Sequence, residues 1–352
     1  MKRYISDVKT PKVSIAPMID RTVRHFRYFC RLLTKRSLLY TEMITTHAII
    51  HGNRDIILGF DDFEKPIALQ VAGSNPEEIY QAVKIAEKWD YDEINLNVGC
   101  PSNRVSGHMM GAVLMAYPKL VAEMVSAIRE ATDKPVTVKH RIGIDGRGIL
   151  PEDSPKIVFD KYEDMSKFIE IVEKSKVDRF TVHARIAILA GLSAKENRNV
   201  PPLKYEDVYR LKKDFPYLNI EINGGIKTLS QINEHLNYVD GVMLGRVAYD
   251  NPYLLTEIDG LFENGDVNNI SRKEVIEGLI TYIEKIENNG GNVYEALRHT
   301  LGLFYGVAGS KEWRRLITPP WKKGYSGKDI LEEALRILPK ESLAESELIM
   351  NS

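Results

Sequence analysis

The sequence predicts an α/β fold, a (β/α)8 TIM barrel followed by a small all-helical domain. Eight short apolar runs are rich in β-branched residues, which is typical of strands. Most of these runs are separated by longer segments in which apolar residues recur three and four positions apart, as they do in a helix. Strands that alternate with helices form right-handed crossovers and a parallel sheet. After Asn251-Pro252 no convincing strand follows, and only helical periodicity continues.

The eight predicted strands are spaced as in a closed barrel. In chain order they are Val13–Ala16, Leu38–Met43, Pro66–Val71, Glu93–Asn97, Val136–Arg141, Arg179–His183, Asn219–Asn223 and Gly241–Leu244. Eight units within about 250 residues match a (β/α)8 barrel better than an open doubly wound sheet, which usually has fewer strands. The open sheet stays an alternative on strand counting, but no GxGxxG follows the first strand.

The C-terminal part differs from the barrel in its periodicity. Helical patterns cover Lys273–Asn288 and Val293–Tyr305, and the tail over residues 330–349 is amphipathic. We therefore place the barrel in residues 1–255 and the helical domain in residues 256–352. Inside the barrel, Gly143–Asp160 and Ala184–Pro202 are long connections, which in a compact domain are usually functional.

Composition narrows the class of protein. The chain has 352 residues, 43% hydrophobic and 28% charged, like an ordinary soluble protein. No run of about 18 apolar residues lacks a charge, and the N-terminus has no apolar core of signal-peptide length, which disfavours membrane and secreted proteins. Two cysteines are too few for a disulfide framework and, with eight scattered histidines, too sparse for a zinc module. We therefore expect a cytoplasmic protein without a metal.

Polar or glycine residues follow nearly every predicted strand, at the end where barrels carry their active sites. After the last two strands, Gly224-Gly225 and Gly245 would let backbone N–H groups approach a phosphate, and Arg246 could add a charged fork. The alternative is that these glycines only make tight turns. The strand ends are Pro17-Met18, Glu42, Gln70, Asn97 with Cys100, Lys139 with Arg141, His183 with Arg185, Asn223-Gly224-Gly225 and Gly245-Arg246.

A flavin is the cofactor that these strand ends suit. Gln70, Lys139 and His183 offer donors for a planar anionic ring, and a lysine near such a ring stabilises the negative charge of the reduced form. Placed beside a phosphate site, they indicate FMN. Cys100 lies in a Gly-Cys-Pro turn, where a thiol could act as proton donor or nucleophile, although a free cysteine is more often a small hydrophobe. Cys30 is interpreted as structural.

Six motifs lie along the chain at or near the predicted strand ends. They are Ser14-Ile15-Ala16-Pro17-Met18, Asn97-Val98-Gly99-Cys100-Pro101-Ser102, Val138-Lys139-His140-Arg141, Val182-His183-Ala184-Arg185, Ile222-Asn223-Gly224-Gly225-Ile226 and Leu244-Gly245-Arg246. Together these motifs resemble the tRNA-dihydrouridine synthases. Two longer stretches, residues 191–203 and 298–315, resemble the A-type subfamily in particular, and the likeness covers about residues 11 to 318. Arg21 and Val113 depart from the pattern, since an aromatic residue and a cysteine are expected there.

The resemblance implies an FMN enzyme that reduces the C5–C6 double bond of a uridine in tRNA, with NADPH as reductant, at positions 20 and 20a of the D-loop. Hydride would reach C6 from reduced flavin, and Cys100 would protonate C5. The residues implied to bind FMN are Pro17, Met18, Ile19, Gln70, Lys139, His183, Asn223, Gly224, Gly225, Gly245 and Arg246.

A net charge of −1 conceals two basic regions suited to tRNA, over residues 2–36 and 298–323. Phe304 and Trp313 in the second region would either stack on bases or belong to the core of the helical domain. We expect a monomer that binds tRNA but neither DNA nor a membrane. The residues expected to contact substrate or tRNA are Asn97, Arg141, Arg185, Lys195, Arg198, Arg298, Arg314 and Arg315.

Two other functions compete with this one. A flavin barrel that acts on a free pyrimidine, such as a dihydroorotate dehydrogenase, would share the FMN site and a nearby proton-transfer residue. The basic regions and the helical addition disfavour it, because a small substrate needs neither. The non-enzymatic alternative is a tRNA-binding factor that retains an inert barrel.

Overall fold

The computed structural model describes residues 11–102, 109–262 and 267–344. Its central feature is a parallel sheet of eight strands. The strands are β1 Val13–Ile15, β2 Leu39–Thr45, β3 Ile67–Ala72, β4 Glu93–Val98, β5 Val136–Arg141, β6 Arg179–His183, β7 Ile220–Asn223 and β8 Gly241–Leu244. Their order in the sheet is β1-β8-β7-β6-β5-β4-β3-β2. A parallel bridge between Ser14 and Leu38, the residue before β2, closes the sheet into a barrel. The predicted barrel is therefore confirmed.

The helices between strands form for reasons visible in the sequence. In Pro76–Ala86, the Asn75 side chain caps the N-terminus by accepting from two backbone N–H groups, and Pro76 occupies the first turn, where its missing N–H costs nothing. Ile79 and Val83 lie on the buried face of this helix. The helices that follow β2 to β7 are Thr46–His51, Arg54–Leu58, Pro76–Ala86, Pro118–Ala131, Tyr162–Val172, Tyr205–Asp214 and Leu229–Leu236.

Contacts divide the chain into two compact units. The first contains the barrel over residues 1–19, 38–60 and 65–245, and the second comprises residues 20–37, 61–64 and 246–352. The second unit thus takes in residues 246–255, ten residues that the prediction placed in the barrel, and also the helix Arg24–Leu33. The division into a catalytic domain over 1–255 and a tRNA-binding domain over 256–352 stays a prediction.

The second unit is built of helices. The predicted helix over Val293–Tyr305 is shorter than expected, because the α-helix ends at Leu297 and continues as one 3-10 turn. At Gly302 a Cβ would lie 2.7 Å from the Tyr249 carbonyl oxygen, so this segment folds tightly instead of extending the helix. Residues 345–349 of the predicted amphipathic tail lie outside the described residues. The helices are Arg24–Leu33, Arg246–Asp250, Leu255–Ile258, Arg272–Asn288, Val293–Leu297, Ser310–Ile317, Gly327–Ile337 and Lys340–Leu343.

The two long connections of the barrel contain a small sheet that the sequence did not predict. Ile144–Asp145 pairs antiparallel with Val158–Phe159 and parallel with Ala187–Ile188. Strands of two residues are too short to show any periodicity. Their pairing ties the connection after β5 to the connection after β6. In the described part of the chain, no helix is long and apolar enough to cross a membrane.

Candidate active site at the carboxyl ends of the barrel strands

Most of the predicted site residues of the barrel lie on neighbouring strands at one end. Parallel strands bring their carboxyl ends to the same edge, so residues in register there are adjacent. Gln70 and Asn97 lie within the last three residues of β3 and β4. The register pairs that involve predicted residues are Asn97 with Lys139, Arg141 with His183, and His183 with Asn223.

Lys139 is half-buried in this group, and its Nζ donates a hydrogen bond of 3.3 Å to Oδ1 of Asn223. Burial, which is the largest cause, and the nearby charge of Arg141 together lower the pKa of Lys139 to about 8, although the carboxylate of Glu221 opposes the shift. The Asn223 amide in turn donates to the carbonyl oxygen of Met243 at 2.8 Å. A lysine held in this way is well suited to face an anionic ring.

The turn after β7 accepts only glycine. Gly224 and Gly225 have φ angles of 122° and 76°, in the left-handed region that residues with a side chain avoid. A Cβ on Gly225 would also lie 2.7 Å from Leu203 Cδ1 and 3.0 Å from the Tyr205 hydroxyl. At Gly245, by contrast, a Cβ would meet no atom within 4 Å. The loop after β8 thus has the open space beside its backbone that a phosphate would need.

Cys100 is held in a well-defined turn beyond β4. The Oδ1 atom of Asn97 accepts hydrogen bonds from the backbone N–H groups of Gly99 at 3.2 Å and Cys100 at 3.0 Å. The backbone N–H of Ala112 donates to the Cys100 carbonyl at 2.9 Å. Cys100 is half-buried, and this burial raises the pKa of its thiol. The thiol therefore keeps its proton at neutral pH.

Arg141 fastens the connections around this turn. Its Nε donates to the Gly99 carbonyl at 2.9 Å, and its Nη1 donates to the carbonyls of Ile186 and Asn197 at 3.0 and 3.1 Å. Arg185 likewise donates to the Pro201 carbonyl. Arg141 is only 3% exposed. Its hydrogen bonds fix the Cys100 turn to the connection after β6.

Sequence reasoning missed a charged cluster at the opposite, amino-terminal end of the barrel interior. Arg179 Nη2 donates to both carboxylate oxygens of Glu93 at 2.7 and 2.8 Å, and its Nε lies 3.6 Å from Oε2 of Glu221. Ser14 and Thr181 donate to Glu221, each at 2.6 Å. TIM-barrel interiors are usually filled by branched apolar residues.

A signal for this cluster is present in the sequence. Along Glu93-Ile94-Asn95-Leu96-Asn97 every second residue is polar, and such alternation sends one set of side chains to the barrel interior. All five residues are buried. Reading β4 for its period would have placed Glu93 and Asn95 inside.

Comparison with known proteins shows the family of this chain. The family model described as dihydrouridine synthase (Dus) matches residues 14–336. The chain belongs to the dihydrouridine synthase family.

Relatives from this family match nearly the whole chain. A tRNA-dihydrouridine(20/20a) synthase of Synechocystis sp. is 49% identical over 336 residues, 96% of this chain and 97% of the relative. The enzyme of that name from Vibrio parahaemolyticus is 48% identical and covers 94% of this chain and 98% of its own length. A structure of 2-naphthoyl-CoA reductase with 2-naphthoyl-CoA shares the fold, with a TM-score of 0.51 and 11% identity, over 70% of this chain and 49% of that one.

The remaining residues that the family resemblance assigned lie at several places. Pro17 and Met18 are half-buried after β1, and Ile19 is 53% exposed. Gln70 is buried and bonded to its neighbours. Half-buried Arg246 begins a helix of the second unit, where Arg298 pairs with Glu295 at 2.9 Å. The exposed basic residues of the set are Lys195, Arg198, Arg314 and Arg315.

The structure corrects part of the expected basic surface of this dihydrouridine synthase family member. Arg27 and Arg31 are each 5% exposed, and they donate to the Glu64 carboxylate and to the Glu64 carbonyl respectively. They are structural and do not face tRNA. Lys2, Arg3 and Lys9 lie outside the described residues.

The aromatic residues of the second basic region belong to the core. Phe304 and Trp313 are fully buried, with ring centroids 5.4 Å apart, and the Trp313 indole donates to the Thr300 carbonyl at 2.8 Å. Of the two interpretations left open by the sequence, the core one is confirmed.

Proposed function

We propose that this protein reduces uridine to 5,6-dihydrouridine at positions 20 and 20a of the tRNA D-loop, with FMN as cofactor and NADPH as reductant. Membership of the dihydrouridine synthase family supports the reaction, and the names of relatives at 48–49% identity support the positions. The structural observation that carries the proposal is the Cys100 turn at the carboxyl end of the barrel, which Asn97 holds by hydrogen bonds, with Lys139 as the register partner of Asn97.

The residues at the strand ends fit FMN. Gly245 offers open space to a phosphate, the turn at Gly224 and Gly225 admits no side chain, and Arg246 follows directly in the chain. Gln70, Lys139, His183 and Asn223 would hold the ring, and Pro17, Met18 and Ile19 would complete the site. FMN reduced by NADPH supplies a hydride to C6 of the uracil when bound.

Cys100 completes the reaction as the general acid. Addition of a hydride at C6 leaves negative charge across C4 and C5, and a proton must then reach C5. The Cys100 thiol is protonated at neutral pH because burial raises its pKa, and Asn97 fixes the turn that carries it. The proton moves from Cys100 Sγ to C5, and the thiolate regains a proton from solvent.

Positive residues around the barrel and in the second unit would hold the tRNA. A uridine must leave its stack to reach the barrel, which costs a few kcal/mol that backbone contacts offset. Lys195, Arg198, Arg314 and Arg315 are exposed and suited to phosphate. Asn97, Arg141, Arg185 and Arg298 would act nearer the nucleotide or by shaping the binding surface. We propose a cytoplasmic monomer that binds tRNA but neither DNA nor a membrane.

The test of this proposal compares substrates. Purified protein with FMN and NADPH is given an unmodified tRNA transcript, free uracil or orotate, and NADPH consumption is followed. We expect turnover with the transcript alone. Comparable turnover with a free pyrimidine would favour the pyrimidine dehydrogenase, and failure of NADPH to bleach bound flavin would favour a non-catalytic tRNA-binding factor.

A further inference from the structure

A continuous chain of hydrogen bonds crosses the barrel interior and ends at the Cys100 turn. It begins at Glu93, whose Oε1 accepts from the Thr137 hydroxyl at 2.6 Å. Thr137 accepts from the Asn95 amide at 2.8 Å, and Asn95 accepts from the Gln70 amide at 2.7 Å. Gln70 accepts from the Asn97 amide at 2.7 Å. The exposed fractions of these five side chains range from 0 to 6%.

All hydrogen bonds of this network donate in the same direction, toward Glu93, and Glu93 determines that direction. A carboxylate paired with an arginine only accepts hydrogen bonds, so the Thr137 hydroxyl must donate to Glu93 and accept from Asn95. An amide that donates with its NH2 group offers its oxygen on the other side. Asn95 and Gln70 therefore each donate toward Glu93 and accept on the other side, and Asn97 donates to Gln70.

The hydrogen bond from Asn97 to Gln70 determines which amide atom Asn97 turns toward the Cys100 turn. Because its Nδ2 donates to Gln70, its Oδ1 accepts from Gly99 and Cys100. If the Asn97 amide were reversed, its NH2 group would face the two backbone N–H groups and leave these part-buried donors unpaired. An unpaired donor costs up to about 1–3 kcal/mol when it is fully buried. Only one orientation of Asn97 supports the turn.

Glu93 is itself locked in place. Arg179 donates to both of its oxygens, and the Tyr40 hydroxyl donates to Oε1 at 2.8 Å. This matters because a buried carboxylate without partners would be strongly destabilised. The charged cluster at the amino-terminal end of the barrel thus provides a fixed acceptor for the whole chain.

We propose that Glu93, Thr137 and Asn95 are positioning residues for Cys100, which set the orientation of Asn97 and thereby the place of the thiol. The catalytic consequence rests on the proposed function, in which Cys100 donates a proton. Displacement of a catalytic group by about 1 Å can lower a rate by about 100-fold. None of the three positioning residues touches the reacting atoms.

Thr137 allows a matched test. Thr137→Val removes the hydroxyl and nearly keeps the shape, whereas Thr137→Ser keeps the hydroxyl and removes a methyl. We expect Thr137→Val to lower the single-turnover rate of uridine reduction by about 10-fold or more, with the KM for tRNA within about twofold of wild type. Thr137→Ser should retain most of the rate. Asn95→Leu breaks the chain at the next link and replaces Thr137→Val if that variant does not fold.

A second readout needs no tRNA. The rate at which iodoacetamide alkylates Cys100, measured by mass spectrometry, should rise severalfold in Thr137→Val but not in Thr137→Ser, because the turn loosens. Cys30, which is fully buried, should stay unmodified. This readout shows the positioning role even if wild-type protein proves inactive on tRNA, a result that would sink only the proposed function.

Three results would overturn the inference. One is a folded Thr137→Val or Asn95→Leu variant in which Cys100 is alkylated, and uridine is reduced, at the wild-type rates. Another is a Thr137→Ser variant as defective as Thr137→Val, because packing and not the hydroxyl would then be responsible. The last is parallel exposure of Cys30, which would make the effect one of general unfolding.

Discussion

Two cysteines of this chain show how placement decides the use of one residue type. Cys30 is fully buried on the helix Arg24–Leu33, whereas Cys100 is half-buried in a turn at a strand end. Burial raises the pKa of both thiols. Both are therefore protonated at neutral pH, but only Cys100 lies at the carboxyl end of the barrel strands, where we propose that the uridine binds.

Replacement of Cys100 by alanine should separate the two halves of the reaction. General acids contribute about 10²–10⁴-fold to a rate, so we expect uridine reduction to fall by about 100-fold or more. The rate of flavin reduction by NADPH should not change, because Cys100 has no part in it. Stopped-flow absorbance measures both steps. Cys30→Ala is the matched control, and equal turnover in Cys100→Ala and wild type would remove Cys100 from the mechanism.

The lowered pKa of Lys139 predicts that the free energy of unfolding depends on pH. Its pKa is lowered from 10.5 to about 8 by burial, so between these pH values the folded state has lost a proton that the unfolded state keeps. The contribution of Lys139 to the free energy of unfolding therefore rises as the pH rises from about 8 to 10.5. In flavin-free protein, Lys139→Met should be the more stable at pH 7, and its advantage should shrink by up to about 3 kcal/mol at pH 10.5.

Urea denaturation of both flavin-free proteins across that range measures the difference. An advantage that does not depend on pH would show that Lys139 is not desolvated as the structure indicates.

At the scale of elements, the barrel strands were predictable and the barrel contents were not. The apolar runs at Val136–Arg141, Arg179–His183 and Gly241–Leu244 agree with β5, β6 and β8 to the residue. Apolar runs report burial, which a barrel strand has on both faces. They do not show which polar residues of different strands lie next to each other. The ion pair of Glu93 with Arg179 could therefore be predicted only if the register of the sheet were known.

Strand ends were predicted better than strand interiors for a physical reason. The carboxyl ends of parallel strands must converge, so Asn97 and Lys139 were placed together without knowledge of any contact. The two-residue strand Ile144–Asp145 was missed, because it is stabilised by partners far away in the chain. β2 also continues to Thr45, so Glu42 lies within the strand and not at its end.

The loop after β8 gives a test of the proposed phosphate site. A Cβ on Gly245 would meet no atom within 4 Å, so Gly245→Ala should leave the thermal stability of flavin-free protein nearly unchanged. The added methyl would occupy the space proposed for phosphate, and the affinity for FMN should fall by about 10-fold or more, roughly 1.4 kcal/mol. Fluorescence titration with FMN measures it. Unchanged affinity would place the phosphate elsewhere.

At the scale of the whole molecule, the net charge of −1 says little about the partner. Arg27 and Arg31 are used inside the second unit, where both bond to Glu64. Arg314 and Arg315, in the helix Ser310–Ile317, are exposed. Counting charges in the sequence could not separate these classes, because the partner Glu64 is more than thirty residues away from both buried arginines.

These two classes of arginine should respond differently to substitution. Replacement of both Arg314 and Arg315 by alanine should weaken tRNA binding and lower the slope of log K against log salt, by about 0.7–0.9 for each phosphate that the protein no longer neutralises. The melting temperature should not change. Arg27→Ala should instead lower the melting temperature, since it leaves Glu64 buried without its ion pair. If the double variant has the same slope as wild type, Arg314 and Arg315 do not contact tRNA phosphates and are ordinary solvent-exposed residues.

Mapping of dihydrouridine in tRNA tests the central claim most directly. Cells that lack this chain are compared with the same cells given back the wild-type protein or Cys100→Ala, and tRNA fragments are read by mass spectrometry. We predict that the gain of two hydrogen masses that marks dihydrouridine at positions 20 and 20a disappears without the chain, returns with wild type and does not return with Cys100→Ala. Retention of dihydrouridine at both positions in cells that lack the chain would contradict the account.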